Sequence, residues 1–257
     1  MRDNPVKTTL AEGGRAFGTM VFEFTSAGLP AILTAAGADY VLYDMEHSGI
    51  SMAEMKLQLA HARGLGLVPI VRPPAKTYDS VARLLDLGAM GLMLPMVESR
   101  AEAEEIVAWT RYPTDGVRGA MFGGAHDDYA GGDIAEKIRM AHERTLVLAM
   151  IETAKGVENV DEIVGVPGID AAHLGQFDLS LSLGIPGQTG HARIEAAIDQ
   201  LLQACERQGK TPACMAPTVE IGRDWLRRGF RMVSYSYDIG LLTDRLQEGL
   251  TALRAVD

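Results

Sequence analysis

The stretch YVLYDMEHSGISMAEMKLQLAHARG, residues 40–64, contains one strand followed by one helix. It opens with a short apolar run that predicts a buried strand. After Ser51, apolar residues recur at intervals of three and four up to a glycine, which predicts a helix that ends there. Asp44, Glu46 and His47 stand between the two elements. The stretch therefore predicts a βα unit whose strand ends in ionisable side chains.

Seven more apolar runs alternate with helix-period segments, which predicts an α/β fold with a parallel sheet. Eight such units in 257 residues fit a closed (β/α)8 TIM barrel, which needs about 250 residues. An open Rossmann sheet is less favoured because no G-x-G-x-x-G fingerprint follows the first run. We expect residues 1–257 to form a single barrel domain. The predicted strands are Phe17–Phe22, Asp39–Tyr43, Leu67–Val71, Met90–Leu94, Thr145–Ile151, Asp170–Leu174, Thr211–Met215 and Arg231–Tyr235.

Composition excludes several classes of protein. Apolar residues make up 47% of the chain and charged residues 23%, which is ordinary for a globular protein with a large core. A net charge of -10 opposes binding to nucleic acid or anionic lipid. With no signal peptide and no membrane-length apolar run, we expect a cytoplasmic protein. Cys205 and Cys214 fall in a predicted helix and a predicted strand, which indicates buried thiols rather than a disulfide or a zinc site.

Polar side chains follow four of the predicted strands at the end where active sites of such barrels form. Any one of them alone would be an ordinary turn residue, but their joint placement predicts a functional site. Asp44, Glu46 and His47 follow the second strand, Arg72 the third, Glu152 the fifth and Asp178 the sixth.

Glu152 and Asp178 supply carboxylates from two different strands. This is the ligand set expected for a hard divalent cation that keeps positions for water and substrate. Magnesium or manganese fits such a site, and cobalt can replace them. Zinc is less favoured, because the chain has no H-E-x-x-H helix and no Cys/His spacing. A carboxylate pair neutralised by a nearby Arg or Lys is the alternative.

The remaining site residues suggest proton transfer and charge stabilisation. Histidine exchanges protons near neutral pH, so His47 is a candidate base, and Asp44 is placed to hold its ring in one tautomer. If strand alternation continues, Glu46 points elsewhere and is a structural partner. Arg72 presents a fork that suits an oxyanion or a carboxylate, with a structural salt bridge as the alternative. His173, inside the sixth strand, is expected to be a hydrogen-bonded structural histidine.

Other catalytic classes find little support. No lysine lies within a predicted strand, which argues against a Schiff-base enzyme, although Lys76 and Lys155 lie in loops after two strands. The chain has no G-x-S-x-G elbow and no Walker loop. The long irregular stretch Arg111–Asp133 is expected to cover one end of the barrel. Its residues 126–129 either face solvent or cover the aldehyde end of a substrate.

Six short segments of the chain carry a family resemblance. They are DMEH (Asp44–His47), VRPP (Val71–Pro74), LDLGAMGLMLPMVES (Leu85–Ser99), RYPTDGVRG (Arg111–Gly119), IET (Ile151–Thr153) and DLS (Asp178–Ser180). Taken together, they resemble the metal-dependent class II pyruvate aldolases of the HpcH/HpaI type, and they occur in family order between about residues 15 and 240. That group includes 4-hydroxy-2-oxoheptane-1,7-dioate aldolase and 2-dehydro-3-deoxyglucarate aldolase.

The resemblance implies a barrel of the phosphoenolpyruvate/pyruvate type, assembled as a hexamer whose C-terminal helix packs on a neighbouring subunit. It also implies roles for individual residues. Glu152 and Asp178 match the metal ligands, Arg72 the pyruvate contact, Asp44 with His47 the proton-transfer dyad, and the backbone near Phe177 and Asp178 the carboxylate site.

The sequence departs from the family at two places near the expected site. Met150 replaces a glutamine that many relatives have, which removes an amide near the metal. Where many relatives read G-P-A-D, this chain reads Gly175–Asp178 as G-Q-F-D. Gln176 restores a polar contact there, whereas Phe177 narrows or redirects the pocket.

These features predict reversible cleavage of a 4-hydroxy-2-oxo acid to pyruvate and an aldehyde through a metal-stabilised enolate. Two alternatives remain. One is an acyl-CoA carbon–carbon lyase of the citrate-lyase type, although the acidic chain shows no basic patch for CoA. The other is a barrel that binds a metal–oxoacid complex without turnover. We expect small-molecule substrates and a homo-oligomer, with no nucleic acid or membrane partner.

Overall fold

All eight predicted runs form strands in the computed structural model, which describes residues 1–256. Every neighbouring pair is parallel, and β8 pairs with β1, so the sheet closes in chain order. The predicted (β/α)8 barrel is confirmed, with strand ends shifted by one or two residues. The strands are β1 Ala16–Val21, β2 Tyr40–Asp44, β3 Val68–Arg72, β4 Gly91–Leu94, β5 Leu146–Ile151, β6 Ala171–Leu174, β7 Thr211–Ala216 and β8 Met232–Tyr237.

Helices return the chain from each strand to the next. Most of the longer helices begin at a Ser, Thr or Asp side chain that accepts a backbone N–H of the first turn. Ser51 and Glu54 form a full capping box. The helices are α1 Pro5–Ala11, α2 Leu29–Ala35, α3 Met52–Ala62, α4 Tyr78–Asp86, α5 Arg100–Thr110, α6 Ile134–Arg144, α7 Ala154–Glu158, α8 Val160–Val164, α9 Gln176–Ser182, α10 Ala192–Gln208, α11 Val219–Arg228 and α12 Asp238–Arg254, with a 3₁₀ turn at Ala125–Asp127.

Two apolar cores hold the barrel together. One lies between the strands and the surrounding helices. The other fills the barrel interior, where α1 closes the amino-terminal end by burying Val6 and Leu10. Asn4 anchors this plug, because its amide nitrogen donates to the carbonyls of Met90 and Arg144. Burial of each large apolar side chain stabilises the fold by about 1.5–3 kcal/mol. The opposite, carboxyl-terminal end is left for the site.

The interior packs closely enough to require a glycine on β1. A Cβ at Gly18 would lie 2.3 Å from the Tyr40 carbonyl oxygen and 2.7 Å from its ring. The Tyr40 hydroxyl lies 3.0 Å from the hydroxyl of Ser234 on β8, and the two residues are the register partners of Gly18 on either side of β1. Cys205 and Cys214 are buried free thiols, as predicted. Within residues 1–256, no helix combines the length and the apolar character that crossing a membrane would require.

The long connection 111–133 does not reach the carboxyl-terminal end of the barrel, where the acidic residues of the predicted site lie. His126 and Asp127 are buried, and the Asp127 carboxylate pairs with Lys137 of α6 at 2.6 Å. Arg144, which immediately precedes β5, donates to the carbonyl of His126. These contacts fix the segment beside the amino-terminal ends of the strands. The interpretation that residues 126–129 cover the aldehyde end is therefore wrong.

Candidate active site

Asp44 and Arg72 form a buried ion pair at the ends of β2 and β3. The two residues are register partners, so their side chains leave the same face of the sheet. Arg72 Nε donates to Asp44 Oδ1 at 2.9 Å, and Nη2 donates to Oδ2 at 2.6 Å. Burial would lower the pKa of Arg72, but Asp44, followed by Glu46 and Glu152, raises it above its ordinary value. The guanidinium is thus charged and held in one orientation.

Glu46 faces the site, contrary to the expectation from strand alternation. The Asp44 Oδ1 atom accepts the backbone N–H groups of Glu46 at 2.8 Å and His47 at 3.4 Å, which turns the chain at the end of the strand. As a result, Glu46 Oε2 lies 3.2 Å from Arg72 Nη1 and 3.6 Å from His47 Nε2. The acid beside the His47 ring is Glu46. The Asp44 carboxylate instead accepts the backbone N–H of His47. The predicted contact between the Asp44 carboxylate and the His47 ring is therefore not formed.

Glu152 follows β5 and is a buried acid in a crowded environment. Its Oε1 atom accepts the backbone N–H of Met96 at 2.7 Å. Burial raises the pKa of Glu152 to about 7; the Met96 hydrogen bond and Arg72 oppose the rise, whereas the charges of Asp178 and Glu46 add to it. Because the charge of Asp178 acts on Glu152, the two predicted metal ligands lie in the same part of the rim. Burial first, and repulsion by Asp178 second, favour the protonated form of Glu152.

Gly175 makes the position of Glu152 possible. It joins β6 to α9, and Asp178 lies in the first turn of that helix. A Cβ at position 175 would lie 2.6 Å from Glu152 Cβ and 2.7 Å from its Oε2 atom. Met150 crowds the same point, with its Cε at 2.8 Å. Sequence reasoning did not identify Gly175 as a site residue, although a glycine directly after a strand was the available signal.

Neutral side chains border Arg72 on its other edge. Arg72 Nη1 donates to Met150 Sδ at 3.6 Å, which is a weak acceptor. His173 is the register partner of Met150 on β6. Burial lowers the pKa of His173 to about 3, and Arg72 lowers it further, so the ring is neutral. His173 is buried, as predicted, and its ring makes a weak contact with the Leu174 backbone rather than a hydrogen bond of good geometry.

The residues present fit a hard divalent cation bound jointly by protein, substrate and water. Within residues 1–256, no group of three or more His, Cys, Asp or Glu side chains forms a metal cluster. Magnesium is commonly held by one or two carboxylates, with water and substrate oxygens in its other positions. Glu152 and Asp178 provide that pair. A cation there would replace the proton on Glu152 and offset the repulsion between the two acids.

Gln176 and Phe177 complete this side of the rim. The Gln176 amide donates to the carbonyl of Met215 on β7 at 3.4 Å, which ties α9 to the neighbouring strand. Phe177 is exposed. The structure therefore brings all the predicted site residues to the carboxyl-terminal end of the barrel, as the order of the strands requires.

Comparison with known proteins assigns the family. The family model described as "HpcH/HpaI aldolase/citrate lyase" matches residues 20–244. The chain belongs to this family. The 5-keto-4-deoxy-D-glucarate aldolases of Shigella sonnei and Escherichia coli are 31% identical to it over 217 residues, 84% of this chain and of each relative. This HpcH/HpaI-family protein is accordingly a carbon–carbon lyase of the aldolase type, which acts on small molecules and belongs to a generally metal-dependent group.

Solved structures support the same assignment. An HpcH/HpaI aldolase from Desulfitobacterium hafniense superimposes with a TM-score of 0.94 at 30% identity, covering 98% of this chain and 97% of the other. An HpcH/HpaI aldolase/citrate lyase family protein from Burkholderia cenocepacia gives 0.92 at 28% identity, covering 98% and 100%. The citrate synthase SbnG gives 0.86 at 27% identity, covering 97% of each chain.

Gly175→Ala tests whether close packing at this glycine holds Glu152 in place. The added Cβ displaces the carboxylate, so the affinity of this HpcH/HpaI-family protein for Mn²⁺ should fall by about 10- to 100-fold. Isothermal titration calorimetry measures the change. Gly190→Ala is the matched control, because a Cβ there has no neighbour within 4 Å, and it should leave the affinity unchanged. Equal affinities for the two variants would contradict this account of Gly175.

The raised pKa of Glu152 predicts that cation binding releases a proton. Below about pH 7 the free carboxyl is mostly protonated, so near pH 6 binding should displace close to one proton; near pH 8 it should displace almost none. Calorimetry in two buffers with different ionisation enthalpies measures the protons released. In Glu152→Gln the release should vanish and the affinity should drop. The same proton release at both pH values would show that another group titrates.

Proposed function

We propose that this lyase reversibly cleaves a 4-hydroxy-2-oxo acid into pyruvate and an aldehyde, with Mg²⁺ or Mn²⁺ at Glu152 and Asp178 and Co²⁺ as a possible substitute. The observation that carries the proposal is a pair of carboxylates, the buried Glu152 after β5 and Asp178 in the first turn of α9, at the same end of the barrel as the Asp44–Arg72 ion pair. Such a pair binds a cation and leaves room for substrate oxygens. A bound cation would polarise the 2-oxo group and lower the energy of the negative charge that develops there as the C3–C4 bond breaks.

Arg72 supplies the second positive charge. Its Nε and Nη2 atoms are occupied by Asp44, which fixes the plane of the guanidinium. The edge at Nη1 faces Glu46 and Met150. Because this edge is already oriented before substrate binds, it can donate to the 2-oxo oxygen without reorganisation. The sulfur of Met150 is a weak acceptor, so the substrate oxygen shares this donor mainly with the Glu46 carboxylate, 3.2 Å away.

His47 is the proton carrier in this proposal. Its ring must take the proton of the 4-hydroxyl group as the aldehyde departs, and return a proton in the reverse reaction. Glu46 lies beside Nε2 and stabilises the ring once it is protonated. Asp44 holds the backbone of His47, so it acts by positioning. In this proposal Gln176 and the backbone at Phe177 and Asp178 bind the ketoacid carboxylate, a role that the family resemblance suggests.

Pyruvate release from synthetic 4-hydroxy-2-oxo acids, followed by a coupled lactate dehydrogenase assay, tests this function. Turnover should require Mg²⁺ or Mn²⁺ and disappear with a chelator.

His47→Ala should reduce kcat by about 10²- to 10⁴-fold while calorimetry shows unchanged cation affinity. Loss of affinity in that variant would make His47 a ligand.

Treatment with borohydride in the presence of pyruvate should leave the protein mass unchanged, whereas a covalent adduct would indicate a lysine imine.

We also propose that the protein works as a homo-oligomer, with the hexamer of the family as the expected form. Within the described part of α12, only Asp238 is buried. Exposed apolar residues recur along this helix at intervals of three and four, which marks an apolar stripe without a partner in the same chain. On the outer face of β1 and β8, Phe17 and Tyr235 are exposed as well. The stripe consists of Ile239, Leu242, Leu246, Leu250 and Leu253.

Replacing Leu242 and Leu246 together by Glu should dissociate the oligomer, because charges in the stripe oppose its burial against another subunit. Light scattering after size-exclusion chromatography measures the mass. Leu57→Glu on α3 is the control, since Leu57 is also an exposed leucine on a helix, and should keep the wild-type mass. A monomeric wild-type protein would contradict the proposal.

A further inference from the structure

The rim of the barrel divides into a charged part and an apolar part. The charged side chains of the site lie at or just after the ends of β2, β3 and β5, with Asp178 in the first turn of α9 after β6. Strands β6, β7, β8 and β1 are neighbours in the closed sheet, and five large apolar side chains lie at or after their carboxyl ends. We call this second part the apolar arc. It consists of Phe177 after β6, Met215 on β7, Tyr237 on β8, and Phe22 and Phe24 after β1.

Packing and exposure place the apolar arc at the mouth. Phe22 and Met215 are partly buried on the core inside the barrel, which locates them at its upper surface. The Phe22 and Tyr237 rings meet edge to face with centroids 5.7 Å apart. Three of these side chains are accessible to solvent: Phe24 and Tyr237 are each 37% exposed, and Phe177 is 63% exposed. Large apolar side chains exposed together at the mouth of a barrel are typical of a ligand pocket.

The loop that carries two of these rings is fixed. The carboxylate of Asp238 accepts the backbone N–H groups of Phe22 at 3.1 Å, Glu23 at 2.9 Å and Phe24 at 2.8 Å. Three hydrogen bonds to one buried carboxylate hold the segment after β1 against the start of α12. Asp238 is thereby occupied, and the phenyl groups are presented in a defined position.

The apolar arc contains no cation that could receive an anionic group of the substrate. Its four segments, residues 22–28, 175–184, 215–220 and 236–243, lie wholly within the described chain and contain no Lys, Arg or His. Their charged residues are all acids: Glu23, Asp178, Glu220 and Asp238. Arg72 is already paired with Asp44 and lies beside Glu46. In the proposed function the ketoacid carboxylate already occupies Gln176 and the backbone at Phe177 and Asp178, so a second carboxylate entering this side would lose hydration without gaining a cationic partner.

The proposed mechanism fixes which end of the substrate reaches the apolar arc. If the ketoacid is held at Arg72, Glu152 and Asp178, its first three carbons occupy the charged part of the rim. The aldehyde portion beyond C4 then extends across the mouth towards β7, β8 and β1. Resting on the proposed function, we infer that the aldehyde released by this enzyme is uncharged and apolar, and that Phe24 and Phe177 determine this preference.

The inference sets this chain apart from relatives named for 5-keto-4-deoxy-D-glucarate, a substrate with a carboxylate at each end. The carboxylate remote from the ketone would approach phenyl rings and acids in this protein. An alkyl or aryl group would instead leave water for contact with the same rings, which is favourable.

A matched pair of four-carbon aldehydes, butanal and succinic semialdehyde, tests the inference in the aldol direction. Each is incubated with pyruvate, Mn²⁺ and the full-length enzyme, and the 4-hydroxy-2-oxo acid product is measured by chromatography. The value of kcat/KM should be at least about tenfold higher for butanal, as a hydrophobic subsite discriminates by about 10- to 200-fold. A higher value for succinic semialdehyde would overturn the inference and leave the proposed function intact.

Phe24→Arg should lower the ratio of the two kcat/KM values by about tenfold or more, because it gives the carboxylate a partner and removes a ring. Leu57→Arg adds the same charge at an exposed position on α3 and should leave the ratio within about twofold. If Phe24→Arg does not fold, Phe177→Arg makes the same test at a more exposed residue. An unchanged ratio in the folded variant would overturn the inference, and no product with any aldehyde, including glycolaldehyde, would overturn the proposed function with it.

Discussion

The charge balance around Arg72 is the constraint on which the site depends. Asp44 neutralises most of the guanidinium through two short hydrogen bonds. Glu46 and Glu152 then compete for what remains of its field, and Asp178 adds a further negative charge. Burial raises the pKa of Glu152 to about 7, and the charges of Asp178 and Glu46 add to the rise that Arg72 opposes. A divalent cation would offset this excess of negative charge. We expect it at Glu152 and Asp178, the two acids that Arg72 stabilises least.

The barrel explains how distant sequence positions produce that balance, and why much of it could be predicted. A closed parallel sheet brings every strand end to one rim, so Asp44, Arg72, Glu152 and Asp178 had to meet once the eight apolar runs were recognised. The register does the rest, because Asp44 and Arg72 are direct partners on adjacent strands. Chain order and strand period were therefore sufficient to place these acids and the arginine at one rim, whereas their roles belong to the proposed function.

The prediction from strand alternation was wrong for residues after the end of the strand, where a side chain rather than the neighbouring strand binds the backbone amides. Beyond Asp44, its carboxylate binds the next two amides, so Glu46 turns towards Arg72. The need for glycine at position 175 depends on a contact with Glu152, 23 residues earlier in the chain. The segment around Asp127 is drawn to the opposite end by Lys137 and Arg144. Each outcome depends on a tertiary contact that periodicity does not encode.

The departures from the family fall mainly on neutral side chains, and this separates chemistry from specificity. The acids and Arg72 match the family pattern by resemblance, and the proposed function assigns to them the binding of a cation and the stabilisation of an oxyanion. Met150 places a weak acceptor, its sulfur, beside Arg72 Nη1. Phe177 adds a ring at the mouth. A barrel built this way can change its aldehyde by exchanging uncharged residues, because the charge balance that fixes the ketoacid lies on other strands.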